Sequence, residues 1–400
     1  MAIVDKTNIF EEYFKVSKDK IESTFFFGDE AKRRKLFSLT RKNTKQSERF
    51  ECLGKIMNGE FFEDKHRFAD FFGKDLEKFF GDEDFIRVFR RHRLSFYMIG
   101  NRVNQEEELA KVVGFPVEVI HEILSDTSKH YSRFFIWKDE AHTKKRWIEA
   151  PDDTLKEIQK RILYNIVYKM APTKYAHGFV HKKSIVSCAN EHTGKKFVLK
   201  LDLKNFFPSI KMEMLYGAMY DEVTSENVRY IIPAMEMCLL QGRLPQGAPT
   251  SPALSNIVCK PLDLMFSGIA KKFDLNYTRY ADDLIFSGNS DEIYKVIPII
   301  KGAIQRFGLV VNEKKVKVLK KHQRQTVTGL VVNAEGKTSV RRRKRLNLRA
   351  YMHHILTGKH PIERVNMNRL RGNVNLINMA NPAQGKWFVE KLEEITAMTK

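Results

Sequence analysis

Cysteine is scarce: four residues in a chain of 400, Cys52, Cys188, Cys238 and Cys259. They are too scattered for a CxxC zinc site or a disulfide framework, so the expectation is reduced thiols in a cytoplasm. Long apolar runs are also missing. Nothing approaches bilayer length, and Met1-Ala2-Ile3-Val4-Asp5-Lys6 lacks the apolar core of a signal peptide, which argues against a membrane role. Acidic residues are the minority charge. Against 70 Lys and Arg stand 49 Asp and Glu, giving a formal net charge of +21 and a pI of about 9.6. Such an excess points to a polyanionic partner, most simply nucleic acid, whose phosphates exchange their counterions for Lys and Arg.

What is present describes a globular protein, with 42% hydrophobic and 30% charged residues. The length allows two or three domains with substantial cores. Residues 1–95 are poor in Pro and rich in Phe, Lys, Glu and Asp. The spacing of Phe68, Phe71, Phe72, Leu76, Phe79 and Phe80 is helical. Phe-Phe-Gly recurs at 26–28, 71–73 and 79–81 at unequal intervals, as helices stopped by Gly would give. The runs Lys32–Lys35 and Arg41–Lys45 either touch RNA or form a solvated face. A helical pattern continues to about Ser132, with Glu106, Glu107 and Glu108 opening one segment. Phe134–Lys138 and Arg146–Pro151 then read as strands around a basic turn, with Asp153 capping the next helix.

The densest chemical signal is Tyr277-Thr278-Arg279-Tyr280-Ala281-Asp282-Asp283-Leu284-Ile285-Phe286. Apolar and β-branched residues flank two adjacent carboxylates, which predicts two strands meeting at a tight turn. Neighbouring carboxylates repel and lose hydration if partly buried, so they are not placed there for stability. A divalent cation removes that cost, and hard oxygen ligands suit magnesium. Successive side chains on a strand point to opposite faces, so a third carboxylate is required from elsewhere. Asp202, at the end of the apolar stretch Phe197–Leu203, is the candidate.

Between these sites lies Gln241–Asn256, a Gly/Pro-dense loop entering a helix with Pro252 in its first turn. Beyond them, Asp291–Phe307 reads as an amphipathic helix bent at Pro298 and closed by Gly308. Leu309–Val316 then begins a strand, and Val327–Asn333 forms another with a Gly break. From Ser339 onward the chain turns basic, with Arg341-Arg342-Arg343-Lys344-Arg345 followed by helical apolar spacing.

Taken in order, four stretches resemble a reverse transcriptase of the bacterial retron type: Leu201-Asp202 with Phe207, Leu244–Pro252, Tyr280-Ala281-Asp282-Asp283, and Gly308–Lys315. The resemblance runs from about residue 95 to the end. Retron enzymes share a Val-Thr-Gly element, intact here at 327–329, and an Asn-Ala-x-x-His element, which here is Cys188-Ala189-Asn190-Glu191-His192 with Cys in the leading place. Relatives outside the retrons therefore stay open.

The resemblance implies an α+β right-hand polymerase: an N-terminal helical extension at 1–95, fingers at 96–200, a palm with an antiparallel sheet at 201–335 (helices at 211–250 included), and a basic helical thumb at 336–400. It implies two magnesium ions bridged by Asp202 and Asp282, with the Leu203 carbonyl holding one and Asp283 in the outer part of the site. Phe207 would exclude a ribonucleotide 2′-OH, the alternative being a core Phe. Gln246 would flank the new base pair, Lys138 and Arg146 would hold the triphosphate, and Lys315 would protonate pyrophosphate. His192 would touch RNA or be a hydrogen-bonded structural His, and Arg341, Arg342 and Arg343 would grip the duplex. The implied partners are a cognate structured non-coding RNA and its DNA product, dNTPs, and a toxin or effector protein in phage defence. Two other readings are a defence reverse transcriptase outside the retrons and a catalytically silent RNA-binding scaffold.

Overall fold

The structure is a computed structural model that describes residues 102–137, 142–219, 222 and 227–398. The expectations for residues 1–95, and for Lys138, fall outside the described residues. Two compact units divide the chain, residues 1–111 with 223–233, and residues 112–222 with 234–400. In the first unit, Glu106, Glu107 and Glu108 sit inside the helix Arg102–Val113 instead of opening it. All elements below belong to the second.

Helix α1, Val117–Ser125, buries Ile120 and Ile123. The helical pattern ends earlier than expected, because strand β1 already begins at Tyr131 and runs to Trp137. It pairs antiparallel with β2, Lys145–Pro151. Helix α2, Asp153–Asn165, is capped by Asp152 and not Asp153: the Asp152 carboxylate accepts the Leu155 amide at 2.8 Å. The other Asp152 oxygen lies 2.7 Å from His130 Nδ1, so this residue ties the cap to the start of β1. Asp153 sits in the first turn, where its charge suits the helix dipole.

The central sheet has four strands in the order β4-β5-β3-β6, all antiparallel: β3 is Phe197–Asp202, β4 Asn276–Tyr280, β5 Asp283–Gly288 and β6 Lys317–Lys320. On β3, Val198, Leu199 and Leu201 are buried, so the sheet is covered on both faces. Helices α3 (Ile185–Asn190), α4 (Phe206–Ser209) and α5 (Met212–Met219) flank β3 in the chain. Helices α6 (Ser251–Val258), α7 (Lys260–Lys272) and α8 (Ile293–Arg306) follow; α7 packs on β4 and α8 on β5. Pro252 lies in the first turn of α6 and Pro298 inside α8, as their spacing predicts.

Two strand expectations change. Leu309–Val316 is not a strand: Val311 makes a single bridge to Leu203, Glu313–Lys315 forms a 3₁₀ turn, and pairing resumes only at β6. The apolar run is three residues long, and Asn312 then turns the chain by bonding the end of β3. Val327–Asn333 is two strands, β7 (Thr326–Val327) and β8 (Leu330–Ala334), joined through Thr328 and Gly329 with φ of 47° and 88°. Two consecutive left-handed residues match the twist of a tight hairpin. With β9, Lys337–Ser339, they form a second antiparallel sheet.

Helices α9 (Arg342–Leu356), α10 (Met367–Ala380) and α11 (Pro382–Ala397) complete the chain. Asn366 and Asn381 cap α10 and α11 through the amides of Arg369 and Gln384. One hydrophobic cluster joins Val198 and Ile285 of the central sheet to Val332 and to Met352, Val374 and Phe388 of these helices. Each such burial contributes about 1.5–3 kcal/mol, so these contacts hold the three helices to the central sheet.

Candidate active site

The hairpin β4–β5 turns through two residues, Ala281 and Asp282, with Tyr280 paired to Asp283. Asp282 therefore occupies the turn and Asp283 the first position of a strand. Ala281 has φ 56°, a left-handed conformation that its small side chain tolerates. The turn is pinned from two sides: the Leu203 amide donates to the Asp282 carbonyl at 3.0 Å, and the Arg279 guanidinium reaches the Ala281 carbonyl at 3.4 Å. On the neighbouring strand, Asp202 and Asp283 form the last rung of the β3–β5 ladder. Sheet register thus brings Asp202 to the Asp282–Asp283 pair, about 80 residues further along the chain.

Burial raises the pKa of Asp282 and of Asp283, and the Asp202 charge raises both further, while Lys315 acts in the opposite sense on each. Arg146 also lowers Asp282, and Lys200, unremarked in the sequence, lowers Asp283. Asp202 is held tightly. Its Oδ2 lies 2.5 Å from Lys315 Nζ, its Oδ1 accepts Asn312 Nδ2 at 3.0 Å, and its carbonyl accepts the Asn312 amide at 2.8 Å. The hydrogen bond to Asp202 raises the Lys315 pKa. Asn312 was legible only as part of the Gly308–Lys315 stretch.

These groups fit a hard cation by chemistry: the donors are all oxygen, and two of them are half-desolvated with raised pKa. They are not drawn together as a finished metal cage, for among the described residues no group of three or more His, Cys, Asp or Glu is so arranged. Both Asp202 oxygens are instead engaged by Lys315 and Asn312.

The loop carrying Gln246 is joined to β2. The Glu149 amide donates to the Gln246 carbonyl at 3.0 Å. A Cβ on Gly247 would stand 2.4 Å from the Glu149 carbonyl oxygen, so only glycine allows this approach. Arg243 grips Glu149 with two hydrogen bonds of 2.8 and 2.7 Å, which lowers the Glu149 pKa. This bidentate pair fixes the loop to the strand on which Arg146 stands exposed. Sequence inspection missed it, although Arg243 lies in the same Gly/Pro-dense stretch. Phe207 is half-buried at the start of α4, 5.4 Å from the ring of Phe206 and 6.1 Å from that of Phe179. The core position belongs to Phe206, only 5% exposed.

His192 corrects the expectation of an RNA contact. It has no exposed surface, and its Nδ1 and Nε2 lie 2.7 and 2.8 Å from the hydroxyls of Ser287 and Thr278. The ring cross-links β5 to β4, which is the structural alternative. A second buried network, invisible in the sequence, anchors the same hairpin: Arg279 Nε and Nη2 reach the two Asp263 oxygens at 2.7 and 2.8 Å, and Tyr277 and Thr173 complete that carboxylate's shell. Arg341 precedes α9, with Arg342 and Arg343 in its first turn, all exposed. Cations there oppose the helix dipole, so helix stability does not explain them.

The family model described as reverse transcriptase (RNA-dependent DNA polymerase) matches residues 136–332. The chain is similar to the retron Mx162 reverse transcriptase of Myxococcus xanthus, 33% identical over 328 residues, 73% of this chain and 67% of that protein. It is also similar to the retron Ec86 reverse transcriptase of Escherichia coli, 31% identical over 277 residues, 69% of this chain and 84% of that protein. A third relative, the retron Mx65 reverse transcriptase of Myxococcus xanthus, is 32% identical over 310 residues, 70% of this chain and 69% of that protein.

Proposed function

The chain belongs to the bacterial retron-type reverse transcriptases, RNA-directed DNA polymerases, and on that premise we propose that it copies a dedicated structured non-coding RNA into DNA at the Asp202–Asp282–Asp283 end of the central sheet. In this reading β1–β2 belongs to the fingers, the four-stranded sheet is the palm and α9–α11 the thumb. The observation that carries it is the last rung of the β3–β5 ladder, where Asp202 faces Asp283 beside the Asp282 turn.

Asp202 and Asp282, with the Leu203 carbonyl, would hold two Mg²⁺, and Asp283 the outer edge. When bound, the ions supply charge neutralisation and an acidified primer hydroxyl. The protein's own part is positioning. Arg146, on the strand spliced to the Gln246 loop, meets the triphosphate, and Gln246 borders the new base pair. Phe207 lies under the deoxyribose, where its bulk leaves no room for a 2′-OH. Lys315, which stands at Asp202, would donate a proton to the departing pyrophosphate. Arg341, Arg342 and Arg343 bind the backbone of the RNA–DNA duplex by charge. A role in phage defence, with a separate effector protein, is part of the same proposal, and the retron relatives support it.

The test is primer extension on the cognate RNA with labelled dNTPs and Mg²⁺. Asp282→Asn should lower incorporation by more than about 100-fold, the scale of removing a group aimed at developing charge, while RNA binding persists. Normal extension by that variant would refute the assignment.

A further inference from the structure

Beside the catalytic hairpin lies a cavity of about 820 Å³ that no step above uses. One wall is the end of α2 and the turn after it, presenting Tyr164 and Tyr168. A second is the loop 177–183, with Phe179, His181 and Lys183. The Tyr280 ring of β4 and the Pro-rich start of α6 close the rest. Three aromatic rings stand open at it: Tyr164 is 65% exposed, Tyr168 56% and Phe179 46%. The two tyrosines meet edge to face at 5.3 Å. None of the described residues lining the cavity is Asp or Glu.

The loop is built to show its aromatic. Phe179 has φ 60° and Lys182 φ 59°, left-handed conformations that bulky side chains rarely adopt. Such strain persists only where surrounding contacts hold it, and it gathers at functional sites. Those contacts are present. The His177 amide donates to the Arg279 carbonyl at 2.8 Å, and Asn256 Nδ2 donates to the Gly178 carbonyl at 2.9 Å. Gly178 itself presses on the catalytic turn, since a Cβ there would lie 2.7 Å from the Ala281 amide. The strained Phe179 therefore has a fixed position relative to Asp282, and its ring, which lines the cavity, is 6.1 Å from that of Phe207.

Open aromatic faces, one lining lysine, Lys183, and no acidic lining make up the chemistry that holds unpaired nucleobases: stacking on the rings with a phosphate near that lysine. A duplex, whose bases already stack on one another, cannot use those faces. We infer that this cavity binds unpaired nucleotides of the RNA, stacking them on Tyr164, Tyr168 and Phe179 beside the catalytic turn. The choice of RNA as occupant rests on the polymerase reading above.

The experiment uses the full chain and a short unstructured oligoribonucleotide carrying 2-aminopurine, without dNTPs or divalent metal. The wild type should bind it and quench the fluorophore. Tyr164→Ala with Tyr168→Ala should weaken binding roughly 10-fold or more and relieve the quench, from the scale of base–aromatic stacking. Tyr164→Phe with Tyr168→Phe should keep both. Affinity for the same RNA annealed into a duplex should change little in the alanine variant. Unaltered binding and quenching in that variant would overturn the site, and so would an equal loss of duplex binding. An independent arm needs no variant. RNA containing 4-thiouridine, irradiated on the wild type, should crosslink to peptides holding Tyr164, Tyr168 or Phe179, and crosslinks confined elsewhere contradict the inference. Binding in the cavity without primer extension would remove the polymerase reading and leave the site.

Discussion

Lys315 Nζ lies 2.5 Å from Asp202 Oδ2, so an ammonium stands on a carboxylate that the polymerase reading assigns to a metal. A cation approaching Asp202 must displace that charge. The Lys315 side chain is 59% exposed, which limits the value of the pair to about 1 kcal/mol. Lys315→Met should therefore tighten divalent-cation binding on the order of 5-fold, read by calorimetric titration of the free protein. It should also slow turnover at saturating dNTP, because the proton donor is lost. Unchanged metal affinity would show that the ion pair does not guard the site.

Asp283 predicts a gain in stability. Burial first, with the Asp282 and Asp202 charges added, raises its pKa in the fold. For a carboxylate with a raised folded pKa, the stabilising contribution is complete below the unfolded value and is lost as pH rises through the folded one. At neutral pH, without metal, the ionised group therefore destabilises the protein. Asp283→Asn should melt higher than wild type at neutral pH in chelator, and that advantage should shrink as the pH falls towards about 4. A lower melting temperature at neutral pH is the opposing result.

His192 behaves in the reverse sense. Burial pushes its pKa down to about 3 from an ordinary 6.5. The neutral ring is favoured in the fold, so its stabilising contribution is present above pH 6.5 and is lost as pH falls towards 3. His192→Leu strands the Ser287 hydroxyl, leaves the Thr278 hydroxyl only the Cys188 sulfur at 3.2 Å, and should cost roughly 1–3 kcal/mol at neutral pH. The gap to wild type should narrow on acidification through that window, as chemical denaturation would record. A constant gap would mean that the ring is not buried neutral.

Phe207→Val tests the sugar pocket. Removing the ring should raise ribonucleotide incorporation relative to deoxynucleotide incorporation by on the order of 100-fold, the range over which pocket shape discriminates. Single-nucleotide extension with rNTP and dNTP measures the ratio. If both fall together, the ring is packing and no gate.

The sequence by itself determined the chemistry-bearing stretches and most local structure. The Asp282-Asp283 hairpin, the Pro252 helix start and the apolar run ending at Asp202 are all written in residue type and short-range spacing, and so is the excess of positive charge. Boundaries failed where neighbours in space decided. Asp152, and not Asp153, caps α2, with its second carboxylate oxygen held by His130 from 22 positions earlier. The segment after Gly308 leaves the ladder because Asn312 and Lys315 are drawn onto Asp202. Only the tertiary structure placed Asp202 opposite Asp283, engaged the Gln246 loop with Glu149, and buried His192 between two strands. Those outcomes depend on sheet register and long-range packing, which join residues some 80 to 110 positions apart, and short-range pattern carries no information at that distance.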